Sequence, residues 1–592
     1  MSRPTRPTLA EALWHALELE GVEYAFGIPG ANILPVYDAH ARLTPAVAHV
    51  LVRHEQAAAH AAEGFAHATG RIAVCLATSG PGATNLVTGL ADANHDRVPL
   101  VAITGNVPTR ALGTGAFQEA DIAAITAPVT KWSTVLRDPS DFVRTISRAF
   151  HLARSGRPGP VLVDIPRDVQ LAEVDPGYRP LPPERPPRPD AAGLDEAAAL
   201  LETAERPLLC LGGGVRKSGA SAEARALAER LQLPFVTSLH GKGAVPEDHP
   251  LWLGMIGMHG HARANRAIQR ADLVFAAGAR LSDRSTGAAA GFAPRARLVQ
   301  ADLDPAALAP RAPGDVVLHG DLREVLAGLL ARIGKRGRRS LALRLRPPSA
   351  GYAQGERGSS RCPDGGEQEP SRLSPLDAID RIQRLLPRDT VLTTGVGQHQ
   401  MFAAQRWRTS GPRDFITSGG FGTMGFCLPA AIGAQLGRPD ALVAGIDGDG
   451  SFQMTLQDLA TAADLGLPLK LFVLDNRALG MVRQIQRLFH GRRFVASRLS
   501  GRPDVAALAE AFGCLGLRAE TGAELDDAVR KALVHRGGPA VVHVRVAADV
   551  DVLPMVPAGA SLSDMLEASP PAEAPHPAAA RASDWREPAP AA

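Results

Sequence analysis

Two short stretches hold the residues whose types and spacing carry the most chemistry: GIDGDGSFQM at 445–454 and LDNRALGM at 474–481. Asp449 leaves an apolar run between Gly448 and Gly450 and precedes what reads as a helix beginning near Ser451. Glycines let backbone amides approach a phosphate closely, and a helix N-terminus adds a favourable dipole. Asn476 closes a second apolar run, LKLFVLDN at 469–476. A carboxylate and an amide oxygen emerging from neighbouring strands suit Mg²⁺, a hard ion commonly shared with phosphates. A lone GDG triplet is usually an ordinary turn; the paired asparagine favours a diphosphate and metal site. The polar triplet Gln398, His399 and Gln400 follows another buried run, DTVLTTGVG at 389–397. Alone, His399 reads equally well as an ordinary core or surface histidine. Glu55, in LVRHEQAAAHAAEGFA at 51–66, reads alone as an acid complementing the first turn of a helix.

Such residues need elements that bring them to one edge. A recurring unit does this: a short apolar run, then Gly or Asp, then an amphipathic helix. It appears at 99–105, 160–166, 207–214, 271–280, 389–397, 441–450, 469–476 and 539–546. Apolar runs without alternation imply strands buried on both faces, hence parallel sheets covered by helices. Ligands of such sheets sit at the carboxyl ends of the strands, where these Gly and Asp turns lie. The expected fold class is α/β: three doubly wound parallel-sheet domains over 1–175, 194–335 and 373–566. A proline-dense stretch separates the first two, a flexible linker is expected at 336–372, and a disordered Ala/Pro-rich tail at 567–592. The basic run Arg332–Arg346 has no interleaved aromatics, so it reads as a solvated helix end and linker rather than a nucleic-acid contact.

Composition narrows the class. Hydrophobic residues make up 45% and charged ones 21% of 592, as in globular proteins and unlike disordered or fibrous chains. Lys and Arg number 64 against 61 acids, a net +3, so no global field draws nucleic acid or anionic lipid. Five cysteines without a CxxC pair argue against a disulfide framework and for a reducing cytoplasm. No apolar run approaches the ~20 residues of a membrane helix.

The paired GDG and Asn motifs resemble the signature of thiamine diphosphate (ThDP) enzymes. The resemblance implies that Asp449, Asn476 and the carbonyl of Ala478 hold Mg²⁺ against the cofactor diphosphate, with Asp475 standing where the family has a first Asn. It assigns Glu55 to the pyrimidine N1′, so that the cofactor's own N4′ takes the C2 proton. In SGGFGTMGFCLPAA (418–431), Met424 would fold the two rings together and the carbonyl of Gly422 would receive the pyrimidine amino group. A flexible core methionine is the plainer alternative for Met424. Gly397, Gln398, His399, Gly448, Gly450, Ser451 and Met481 would complete the cofactor end.

Over nearly all of 8–332 and 373–566 the chain is similar to the large, catalytic subunits of acetolactate synthase. The matching stretches include SGPGATNLV (79–87), AFQEADI (116–122), GMHG (257–260), GVGQHQM (395–401) and VLPMVPAGASLSDML (552–566). The resemblance implies that a donor pyruvate loses CO₂ and its two-carbon unit joins a second 2-ketoacid, in branched-chain amino acid biosynthesis. Phe117 and Gln118 would line the reacting centre and Arg284 would meet a substrate carboxylate. The central domain would bind FAD in a non-redox role, through Arg157, Gly212, Gly213, Gly214, Thr237, Ser238, Leu239, Gly257, Met258, His259, Gly260, Gly278, Arg280, Asp302 and Asp321. A homodimer or homotetramer, and a regulatory small subunit, are implied partners; nucleic acid and membrane are not.

Departures from the family pattern bear on substrate. GARLSDRSTG (278–287) carries Leu281, Ser282 and Ser285 where the family differs. Ile485 replaces a tryptophan of the access channel, Ala31 and Asn32 add bulk to the entry loop, Asn106 replaces a glutamine, and Gly395 an aspartate. The alternatives are another ThDP-dependent decarboxylase, oxidase or carboligase, or a non-catalytic paralogue. The last is opposed by the presence of Glu55 and both metal ligands.

Overall fold

The computed structural model describes residues 6–334, 373–499, 501 and 503–568. The expected linker at 336–372, the tail from 569 onward, Cys362 and the basic run beyond Gly334 lie outside the described residues.

Apolar runs without alternation become strands buried at every position, as Ala73–Ala77, Leu100–Asn106, Pro160–Pro166, Pro207–Leu211, Leu273–Ala277, Val391–Thr394, Val443–Gly448 and Lys470–Asp475 all are. They assemble into three six-stranded sheets in which every neighbouring pair is parallel. Both faces of each sheet are covered. In the first, Val74, Leu76, Val101 and Ile103 pack into one apolar cluster, while Ala73, Cys75, Ala77, Leu100 and Ala102 pack into another. That is the two-faced burial a parallel sheet requires.

The first and third sheets share one topology. Taken in chain order within each sheet, the strands lie second–first–third–fourth–sixth–fifth. The middle sheet runs sixth–fifth–fourth–first–second–third. Strand order reverses between the first and third strands of the outer sheets, and between the fourth and first of the middle one. Such reversals leave a crevice at the carboxyl ends of the strands. In the third sheet that crevice lies where Val391–Thr394 gives way to Gly395 and Val443–Gly448 gives way to Asp449. In the middle sheet it lies where Pro207–Leu211 gives way to Gly212 and Leu273–Ala277 to Gly278.

The outer sheets are joined by a close helix pair. Glu55–Thr69 (EQAAAHAAEGFAHAT) is buried on almost every side, the mark of a helix inside a core rather than at a surface. It packs on Cys427–Gly437 (CLPAAIGAQLG), buried likewise. A Cβ on Gly64 would overlap the carbonyl of Ala430, and one on Gly433 the carbonyl of Ala61, so only glycine permits this approach. Cys75, Cys210, Cys427 and Cys514 are free and buried. No helix among the described residues is long and apolar enough to cross a membrane.

Candidate functional site

The diphosphate expectation needs one correction. The helix expected to begin near Ser451 begins two residues earlier, at Asp449, and is a single turn, Asp449–Phe452. A four-residue helix adds little dipole, so the chemistry of this turn rests on its glycines and side chains. A Cβ on Gly448 would run into the His399 ring, and one on Gly450 into Leu479. Gly395 has the same logic: a Cβ there would overlap the Asp447 carboxylate. The buried Asp447 therefore fills the space that a larger residue at 395 would need.

Asp449 is 7% exposed. Burial, and then the neighbouring Asp475, push its carboxyl up to about 8. Asp475 is itself anchored: His543 Nε2 lies 2.8 Å from its Oδ2 and Arg545 Nη1 2.5 Å from the same oxygen. Burial works against the charged form of Asp475, but these two partners outweigh it and hold the carboxyl below its usual range. Asn476 Oδ1 accepts from the amide of Ala478 at 3.0 Å, and its Nδ2 donates to Gln398 at 3.2 Å. Gln398 donates in turn to Gln484 at 2.8 Å. His399 Nε2 stands 3.3 Å from Asp447 Oδ1 outside hydrogen-bonding geometry, and both His399 Nε2 and Asp447 Oδ2 are buried without a hydrogen-bond partner. Unsatisfied buried polar atoms call for an account, and these two lie at the crevice.

A cavity of about 1140 Å³ unites these groups with the middle sheet. Gly397, Gln398, His399, Gly422, Met424, Gly448, Asp449, Gly450, Ser451, Asn476, Ala478 and Met481 line it from the C-terminal side. Arg157, Gly213, Gly214, Ser238, Leu239, Met258, His259, Gly278, Arg280, Arg284, Asp302 and Asp321 line it from the other. Gly212 packs so closely on Gly278 that a Cβ would overlap its carbonyl, and Gly278 itself has φ +58°. Burial pushes His259 down to about 4, so its ring is neutral at pH 7. Asp302 is engaged by Arg97 of the first domain at 3.3 Å, and Asp321 caps the helix Leu322–Arg332. Four residues of the FAD expectation, Gly212, Thr237, Gly257 and Gly260, stand behind the cavity wall rather than on it.

Three expected catalytic residues are not on this cavity. Glu55 is 7% exposed, opens its helix, and accepts from Asn85 Nδ2 at 2.9 Å. Phe117 is 88% exposed and Gln118 sits at φ +59° on the same loop. Arg284 does reach the cavity, with Nη1 3.0 Å from Met258 Sδ. Several polar residues at the site had no reading in the sequence. Asp92, Asp96, Ser418 and His543 have partners far away in the chain, whereas Gln398, His399 and Gln400 carried the signal of a polar cluster after a buried strand.

Comparison with known proteins sets this geometry in a class. Residues 7–125 match the thiamine pyrophosphate enzyme N-terminal TPP binding domain, 194–329 its central domain, and 395–544 its C-terminal TPP binding domain. The three sheets and the three matches together define a thiamine diphosphate-dependent enzyme. The chain is 46% identical to the acetolactate synthase large subunit of Corynebacterium glutamicum over 578 residues, covering 95% of this chain and 90% of that one. It is 45% identical to an acetolactate synthase large subunit of Mycobacterium tuberculosis, over 95% of this chain and 91% of the other. A probable acetolactate synthase large subunit of Methanocaldococcus jannaschii is 41% identical over 94% of this chain and 95% of its own length. The chain belongs to the acetolactate synthase large-subunit family.

Proposed function

We propose that this enzyme joins two 2-ketoacids in branched-chain amino acid biosynthesis. Pyruvate loses CO₂ and its two-carbon remainder passes to a second 2-ketoacid, giving 2-acetolactate from pyruvate or 2-aceto-2-hydroxybutyrate from 2-ketobutyrate. The observation that carries this reading is the single cavity running from Asp449 and Asn476, past Met424, to Arg284.

The residues present fit the cofactors. Asp475 has its counterparts in His543 and Arg545, whereas the buried carboxylate of Asp449 has no cationic side chain beside it among the described ion pairs, and it lines the cavity with Asn476 and Ala478 as a set of hard oxygen donors. Asp449, Asn476 and the Ala478 carbonyl would hold Mg²⁺, and His399, whose ring lines the cavity beside Gly448, would stand at the diphosphate end. When bound, ThDP supplies the nucleophilic carbon and electron sink that decarboxylation needs. The remaining work belongs to this chain. Glu55 holds a proton at the pyrimidine N1′. The Gly422 carbonyl would accept from the pyrimidine amino group, and Met424, on the cavity wall, would supply the bulk against which the cofactor's rings fold. Phe117 and Gln118, which like Glu55 lie off the cavity of their own chain, would wall the reacting centre from a second copy, and Arg284 would pair with a substrate carboxylate. At the middle sheet, the glycine turns and Arg157, whose buried Nε has no hydrogen-bond partner, would hold FAD. Carboligation involves no net oxidation, so the flavin serves structure.

Because Glu55 is not on the cavity of its own chain, the site requires Glu55 of a second copy, and a homodimer or homotetramer follows. The large-subunit relatives make a regulatory small subunit the natural further partner. The domain bounds 1–175, 194–335 and 373–566, and a cytoplasmic location, form part of the same proposal. A second reading, an altered acceptor on the same scaffold, is favoured by Ile485 on the cavity wall. Incubation with pyruvate, ThDP, Mg²⁺ and FAD, with and without 2-ketobutyrate, tests both. Acetolactate is expected; acetaldehyde, acetate or acetyl phosphate as the main product would refute carboligation.

A further inference from the structure

The loop Ser418–Met424 follows the strand Phe415–Thr417 and reads SGGFGTM. It contributes six of its seven residues to the cavity wall, Gly422 and Met424 among them. Three of its residues are glycines, and Gly422 has φ +80°. A loop of this composition has high conformational entropy and few side chains of its own to fix it. Its anchors come from elsewhere.

They come from one end of one helix in the first domain. Asp92 lies within the helix Val87–His95 and Asp96 is its C-cap, a spacing that places both on one face. Both are buried, 0% and 4% exposed. Asp92 Oδ1 accepts from Ser418 Oγ at 2.8 Å, and Ser418 Oγ accepts from the amides of Gly422 and Thr423, each at 2.9 Å. Asp96 Oδ2 accepts from the amide of Gly419 at 2.9 Å, and Oδ1 from that of Gly420 at 2.7 Å. Four backbone N–H groups of the loop thus end on two carboxylates, directly or through one hydroxyl. His240 of the middle domain braces Asp96, with Nε2 3.0 Å from Oδ1. The glycines make the approach possible: a Cβ on Gly420 would overlap Asp96, and one on Gly419 would come within 2.5 Å of His240 Nε2.

On the other side Asp92 faces the buried pair His60 and Glu63. His60 Nδ1 lies 2.9 Å from Glu63 Oε1 and 3.8 Å from Asp92 Oδ2. Burial first, and then the neighbouring carboxylates of Glu63 and Asp96, push the Asp92 carboxyl well above its usual range. Its Oδ1 accepts from Ser418 in either protonation state.

We propose that Asp92 and Asp96 are positioning residues: a two-carboxylate clamp that fixes the SGGFGTM loop, and through it the Gly422 carbonyl and Met424, for the cofactor pyrimidine. The role assigned to Gly422 and Met424 rests on the function proposed above.

Amide hydrogen exchange on the full-length chain without cofactor, followed by titration with Mg²⁺ and ThDP, tests the clamp. Ser418→Ala removes the shared hydroxyl with little change of volume, and Asp96→Asn leaves shape but loses an acceptor. Each is expected to speed exchange of a peptide covering 419–425 by about tenfold and to weaken ThDP binding by a similar factor, on the order of one or two lost hydrogen bonds. Exchange over 87–96 is expected to stay as in the unmodified chain, which a general loss of domain packing would not allow. Ser418→Thr, keeping the hydroxyl, is expected to restore both readings. Loop exchange unaltered in both variants, with ThDP still protecting the loop in the unmodified chain, overturns the clamp alone. ThDP binding that leaves 419–425 unprotected in the unmodified chain overturns the cofactor placement and the clamp together.

Discussion

Glu55 shows how one residue satisfies a bland reading and a chemical one at once. It opens the helix Glu55–Thr69, where an acid complements the dipole, and it is buried with a single amide partner, Asn85. Glu55→Gln keeps the shape and loses the charge. Release of CO₂ from pyruvate is expected to fall by about 10²–10⁴-fold, while ThDP binding, followed by fluorescence titration, stays within a few-fold. Near-normal turnover would remove Glu55 from the mechanism. Ile485 lies on the cavity wall and is 37% exposed, so a side chain added there meets the ligand space directly. Ile485→Trp is expected to raise the product ratio from 2-ketobutyrate over pyruvate in competition; an unchanged ratio excludes this position as the selector. Asp475 is the third instructive residue. It places a second carboxylate beside Asp449, and the structure supplies its counterparts in His543 and Arg545.

At the scale of elements, the glycines decide what can touch. Gly433 lets the helices Glu55–Thr69 and Cys427–Gly437 meet with a backbone carbonyl in the place of a side chain. Gly433→Ala forces them apart and is expected to cost about 1–3 kcal/mol, seen as an earlier urea transition; an unchanged midpoint would mean that the pair has slack. The same scale explains what could be read from the sequence. All eight apolar runs singled out there are strands, because burial at every position, or at all but the last in Ala540–Arg545, leaves an unbroken apolar signal. The edge strands of the first sheet carry none: Ala48–Leu51 is half exposed, and Trp132–Val135 is only partly buried throughout. Asp449, Asn476 and the Gln398–His399 pair were legible because each follows a buried strand at the ligand edge. Asp92 and Asp96 were not, because their partners Ser418 and Gly419 lie 326 and 323 residues away, and nothing local marks a helical aspartate for a distant loop.

At the scale of the whole molecule, a net charge of +3 leaves anionic ligands to be held locally, by glycine amides, a metal and a few arginines. The first and third sheets repeat one strand order, yet the residues proposed to act on one cofactor lie in both. Glu55 is off the cavity of its own chain, whereas Asp449 is on it. Mixing two inactive variants shows most directly whether these residues act in one active site built by two copies. Glu55→Gln and Asp449→Ala chains, each inactive alone, are co-expressed and assayed for acetolactate. If copies exchange Glu55, half of the dimers are mixed and each carries one intact site, so activity recovers to about a quarter of the unmodified enzyme. No recovery in dimers shown to be mixed would place both residues in the same chain's site, or Glu55 outside the site altogether, and would contradict the shared architecture.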